Sequence, residues 1–131
     1  MKIIIETIPH QEQRYTTVGD WFYEVDGTLH IKVSELSDKR REVLIAVHEL
    51  VEVLLCEQAG IGQLAVDEFD KHYEANRAPD NFDEPGDDPT APYVRQHCLA
   101  TSVERLMAAE MGVNWKEYEE ELDKLPDVDP K

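Results

Sequence analysis

Hydrophobic positions change period twice along the chain. Residues 2–7, Lys-Ile-Ile-Ile-Glu-Thr, are β-branched and predict a strand. From 20 to 34 apolar and polar positions alternate: Trp21, Tyr23 and Val25 on one limb, Leu29, Ile31 and Val33 on the other. The Asp26-Gly27 turn signal between them predicts a hairpin. After Leu36 the spacing lengthens to three and four. Val43, Leu44, Val47, Leu50, Val51, Leu54 and Leu55 mark a helix over 38–58, with Ser37 as its N-cap and Gly60 just past its end. A second helix is expected over 63–76, with Leu64, Val66, Phe69 and Tyr73 inward. A third spans 92–111, stopped by Gly112, and a short one spans 115–124, capped by Asn114.

Residues 77–92 break the pattern. Four prolines and five acids occupy this stretch, which predicts an irregular loop that is functional or mobile. The tail from Pro126 is expected to fray. With no repeat and no boundary, the reading is a single domain over 1–131: a β-sheet region over 1–36, then a helical region over 37–125. The fold class is α+β, a small antiparallel sheet of two or three strands packed on three or four helices.

Composition narrows the functions. The chain has 131 residues, of which 41% are hydrophobic and 32% charged, the balance of a globular domain. Its formal net charge is -16, from 29 acidic and 13 basic residues. That argues against direct binding to nucleic acid or anionic membrane, which requires cationic side chains. The surface concentrates cations instead. Cys56 and Cys98 sit in apolar helical runs and read as reduced, buried thiols. The opening residues are too short for a signal peptide, and no run reaches the roughly 18 apolar residues of a membrane span. A cytoplasmic location is expected.

The chemistry lies inside the long helix. His48 and Glu52 are four apart, so they share a face and can hold one divalent ion, Zn²⁺ or another transition metal. Glu49 points about 100° away, where its carboxylate can serve a water molecule as general base without binding the metal. This is the H-E-x-x-H zinc-hydrolase geometry with Glu in the second ligand position. The third ligand should be a histidine, with His97, His72, His30 and His10 as candidates. His97 opens the apolar face of helix 92–111, in line with Ala100, Thr101 and Glu104, and is the choice; His72 is the alternative. Glu104 is either an orienting partner of a ligand histidine or an ion-pair partner of Arg40, Arg41 or Arg105. Tyr93 reads as a core tyrosine, with the site mouth as the alternative, while Trp21, Trp115 and Tyr118 read as packing residues.

The run from Leu29 through Ser34-Glu35-Leu36-Ser37-Asp38-Lys39-Arg40-Arg41 to Ala46-Val47-His48-Glu49-Leu50 resembles the ImmA/IrrE-type metallopeptidases of mobile elements and stress regulation. In that family a later helix supplies a Glu ligand. Here His97 falls where that Glu would stand, and Glu52 stands where the family has His. The two exchanges are reciprocal and keep two His and one Glu. The resemblance, which covers about 29–55 and 97–107, implies a minimal zincin-like fold and a protein or peptide substrate. The whole chain is also similar to small phage-type proteins.

Two other classes fit parts of the sequence. An acidic, non-catalytic regulator or DNA mimic would use the surface itself and could retain a structural metal. A pyrophosphatase would bind Mg²⁺ through Glu49 and Glu52, and would need a second acidic pair on a facing helix, for which Glu104 and Glu110 are poorly spaced. Asp83, Glu84, Asp87 and Asp88 offer a loop calcium site but lack EF-hand spacing.

Overall fold

The computed structural model describes residues 1–129. Strands β1 (Ile3–Ile8), β2 (Gly19–Tyr23) and β3 (Leu29–Ser34) form one sheet in the order β1-β3-β2. Four helices follow: α1 (Lys39–Gln58), α2 (Gln63–Ala75), α3 (Val94–Glu110) and α4 (Trp115–Asp123). This is the expected α+β arrangement. The hairpin β2–β3 is antiparallel, but β1 joins β3 in parallel, so the sheet is mixed rather than antiparallel throughout. The parallel pairing needs no helical crossover because the chain reaches β3 by way of β2. Residues 9–18 pass around the C-terminal end of β3, held by buried Gln13, whose amide donates to the carbonyls of Val18 and Lys32.

Leu29, Ile31 and Val33 point from β3 into the core, and Gly19 and Trp21 lie beside Val33 and Ile31 on β2. Helix α1 lies on this face. Its buried residues are Leu44, Ile45, His48, Glu52, Val53 and Cys56. The apolar stripe expected from periodicity is therefore displaced: Val43 is exposed, and Val47, Leu50, Val51 and Leu54 are half-buried. The polar pair His48 and Glu52 takes the centre of the buried face. Asp38, not Ser37, caps the helix, accepting from the Arg40 N–H at 2.8 Å. Ser37 is occupied elsewhere, with its N–H and hydroxyl both donating to Glu121. At the other end Gly60 adopts φ +73°, and the Ile61 N–H reaches back to the Cys56 carbonyl at 2.9 Å, closing the helix.

Helix α3 packs against α1 in the opposite direction, pairing Arg40 with the 111–112 end and Glu52 with His97. Three expectations fail here and nearby. Cys98 is exposed, because it faces away from α1; Cys56 is buried as expected. Leu64 is exposed on the outer side of α2, whereas Val66 and Asp67 are its buried residues. The tail does not fray over its described part: Val128 is buried, its N–H donates to Thr16, and the carbonyls of Pro126 and Asp127 accept from His10 and Gln11. The 77–92 segment contains a short 3-10 turn, Pro85–Asp87. Among the described residues no helix is long and apolar enough to cross a membrane.

Candidate metal centre

The i,i+4 spacing on α1 places His48 and Glu52 side by side, and antiparallel α3 brings His97 to them. His48 Nε2, Glu52 Oε2 and His97 Nδ1 form a triangle with edges of 3.2, 3.0 and 3.2 Å. All three residues are buried, at 4–5% exposure. A tetrahedral ion bonded at roughly 2.0–2.1 Å spaces its ligands about 3.3 Å apart, so the triangle matches one face of such a coordination sphere. The donor set of two imidazoles and one carboxylate is that of catalytic zinc sites. Among the described residues no fourth His, Cys, Asp or Glu joins this set.

Each donor is held from behind. His48 Nδ1 lies 2.8 Å from Glu104 Oε1, and the Tyr118 hydroxyl donates to Glu104 Oε2 at 2.7 Å. Glu104 thus orients His48, and the ion pairs that competed for it do not form. Arg40 bonds Asp38 and the Met111 carbonyl, Arg41 bonds Glu121, and Arg105 stacks over Trp115. Trp21 Nε1 donates to Glu52 Oε1 at 3.4 Å. Trp21 and Tyr118, read from sequence as packing residues, also steady the site carboxylates. His97 Nε2 lies 2.9 Å from Glu84 Oε2 and 3.2 Å from Asp87 Oδ1. A carboxylate against the outer nitrogen of a ligand histidine fixes ring orientation and raises ligand basicity.

The electrostatics show how strongly the cluster attracts positive charge. Burial by itself would push the His48 imidazole down, but the Glu104 and Glu52 carboxylates outweigh it and lift it to about 11. His97 is likewise raised against burial, by Asp87, Glu52 and Glu84. Burial pushes Glu52 up, yet its two histidines bring it down to about 2. In the absence of a cation, protons take its place, so a metal must displace them.

Glu49 lies one position around α1, half-buried, and presses against β2. A Cβ at Gly19 would stand 2.6 Å from Glu49 Oε1 and 2.7 Å from Ile45 Cγ2. Burial, reinforced by Glu52, raises the Glu49 carboxyl well above its ordinary value; His48 acts in the opposite sense. Comparison of the chain with protein-family models, curated proteins and solved structures returned no match. The site therefore rests on its own geometry.

The remaining candidates lie elsewhere. His72 is exposed on α2, hydrogen-bonded with Asn76. His30 pairs with Glu24 and stacks on Phe22, and His10 bonds Ser34 and the Pro126 carbonyl. Tyr93 is a core residue whose hydroxyl donates to Asp70, not a group at a site mouth. Glu110 is exposed, so α3 offers no acidic pair to Glu49 and Glu52. Of the loop acids, Glu84 and Asp87 come together with His97 as a second group within reach of one cation, while Asp88 accepts from Thr90. Two features escaped the sequence. One is the Glu84–Asp87 contact, for which the Glu-Pro-Gly-Asp turn was the available signal. The other is Asp70, which accepts from both Tyr15 and Tyr93.

Proposed function

We propose that this protein is a small zinc-dependent metallohydrolase, peptidase-like in its substrate, with His48, Glu52 and His97 as metal ligands and Glu49 as general base. The observation that carries the reading is the three-donor triangle, which no fourth His, Cys, Asp or Glu joins among the described residues, since structural zinc sites fill all four positions with side chains. A divalent ion held there supplies Lewis acidity to a substrate carbonyl and to a water molecule. Glu49 accepts the proton of the attacking water and returns it to the leaving amine as the C–N bond breaks. Glu104, with Tyr118 behind it, keeps His48 aimed at the centre. The resemblance to ImmA/IrrE-type metallopeptidases supports a protein or peptide substrate.

One observation favours a second reading, a regulatory protein stabilised by a structural ion: the three ligands are only 4–5% exposed. One experiment separates the two. Metal content of the purified protein is measured for wild type, His97→Ala and Glu49→Gln, with hydrolysis of a peptide library as the activity. The hydrolase reading expects near-stoichiometric transition metal in wild type and Glu49→Gln, its loss in His97→Ala, and a fall of at least about 100-fold in hydrolysis for Glu49→Gln. Bound metal with no hydrolysis by wild type supports the structural ion. Absence of metal, with no effect of added zinc on stability, overturns both.

A further inference from the structure

We propose that the acidic turn Glu84–Asp87 is the positioning element for ligand His97, so that seating of this turn on α3 and metal binding are coupled. The inference rests on the metal-site reading above.

His97 presents one ring nitrogen to each side. Nδ1 faces Glu52 and His48 at 3.0 and 3.2 Å. Nε2, on the opposite edge, faces Glu84 and Asp87 at 2.9 and 3.2 Å. That atom is buried in a residue only 4% exposed, and its ion-pair partners are these two carboxylates. A neutral imidazole carries one N–H. Only the tautomer with that N–H on Nε2 leaves Nδ1 free to ligate, and two anions beside Nε2 select it.

The turn is shaped for this position. The Glu84 N–H donates to Asp87 Oδ2 at 3.2 Å and the Asp87 N–H to the Glu84 carbonyl at 3.0 Å, so the Asp87 carboxylate is tied to the backbone of its own turn. Gly86 lies on the imidazole itself: a Cβ there would stand 2.3 Å from His97 Cγ and 2.5 Å from Nδ1. No side chain fits between turn and ring. The same loop is anchored to α2 by the Tyr73 hydroxyl, which donates to the Asp83 carbonyl at 3.4 Å and accepts from Asn81 at 3.0 Å. Because a coupling free energy acts in both directions, a turn that tightens metal binding must itself be tightened by metal.

The test uses the full chain, stripped of metal by chelation. Zinc affinity is measured by competition with a chromophoric chelator for wild type and Glu84→Gln/Asp87→Asn. Amide hydrogen exchange over residues 84–88 is followed with and without zinc. Both acids are exposed, so the double variant should stay folded, which its denaturation curve checks. The expected result is a 10–100-fold loss of zinc affinity in the double variant. In wild type, zinc should slow exchange across the turn, and in His48→Ala it should not. Equal affinities, or exchange indifferent to zinc in a wild type that binds it, would overturn the positioning role and leave the metal site standing. A second zinc equivalent, lost in the double variant while the first keeps its affinity, would overturn it too. If wild type binds no zinc, both readings fall.

Discussion

Two glycines bear on the centre through what they lack. Gly86 lets a turn lie flat against His97, and Gly19 lets β2 approach Glu49. Neither needs a left-handed backbone; each is required for space alone. Gly19→Ala would set a methyl carbon 2.6 Å from Glu49 Oε1 and 2.7 Å from Ile45 Cγ2. The carboxylate can swing away, but Ile45 is buried in the core and cannot move so freely. The expected result is bound zinc unchanged, hydrolysis reduced at least about 10-fold and stability lowered by about 1–3 kcal/mol, as for other overpacked cores. Metal analysis, peptide hydrolysis and urea denaturation read the three effects. Full hydrolysis in a folded Gly19→Ala protein would show that Glu49 does not need its position.

At the scale of elements, α1 and α3 carry the donors, and the sheet packs against α1. The legibility of these elements was uneven for a physical reason. Helix periodicity reports which residues are apolar, not which face a neighbour covers. On α1 the apolar residues outnumber the sites available inside, so Val43 is left outward and Val47 and Leu54 half-covered while His48 and Glu52 are buried. Only the metal-ligand spacing signalled that choice. The tail is the converse case. Its composition suggests fraying, but Val128 is buried and four backbone groups find partners on the 9–18 segment. Removing residues 126–131 should therefore destabilise the protein by about 1.5–3 kcal/mol, the contribution of one buried valine-sized side chain. An unchanged urea midpoint for the truncated chain would contradict the docking.

Across the whole molecule, negative charge is concentrated inside as well as outside. Asp20 and Asp67 share Arg14, and Asp70 stands nearby with only tyrosine hydroxyls as donors. Burial raises the Asp70 carboxyl to about 7; the Tyr93 and Tyr15 hydroxyls pull it down, and the Glu52 charge pushes it up. Because the folded-state value lies above the unfolded one, near 4, Asp70 holds protons more tightly in the folded protein. Its contribution to stability is complete below pH 4 and is lost as pH rises through 7. About three pH units correspond to at most about 4 kcal/mol. Asp70→Asn should flatten the stability curve of metal-free protein between pH 4 and 7. Urea denaturation at several pH values in the presence of chelator measures this, and parallel curves for variant and wild type would refute it.

The sequence by itself determined the α+β class, the hairpin and the four helices, and it singled out His48, Glu52 and His97, which the fold brings together. Each of these is encoded locally, by period, by turn chemistry or by i,i+4 spacing, and His97 by its place on an apolar face. The parallel addition of β1, the use of Glu104 on His48, the turn on His97, the half-buried Asp70 and the docked tail were decided by tertiary structure. Each depends on a contact between residues far apart in the chain, and an acidic residue reads the same in sequence whether it meets solvent or a ligand histidine.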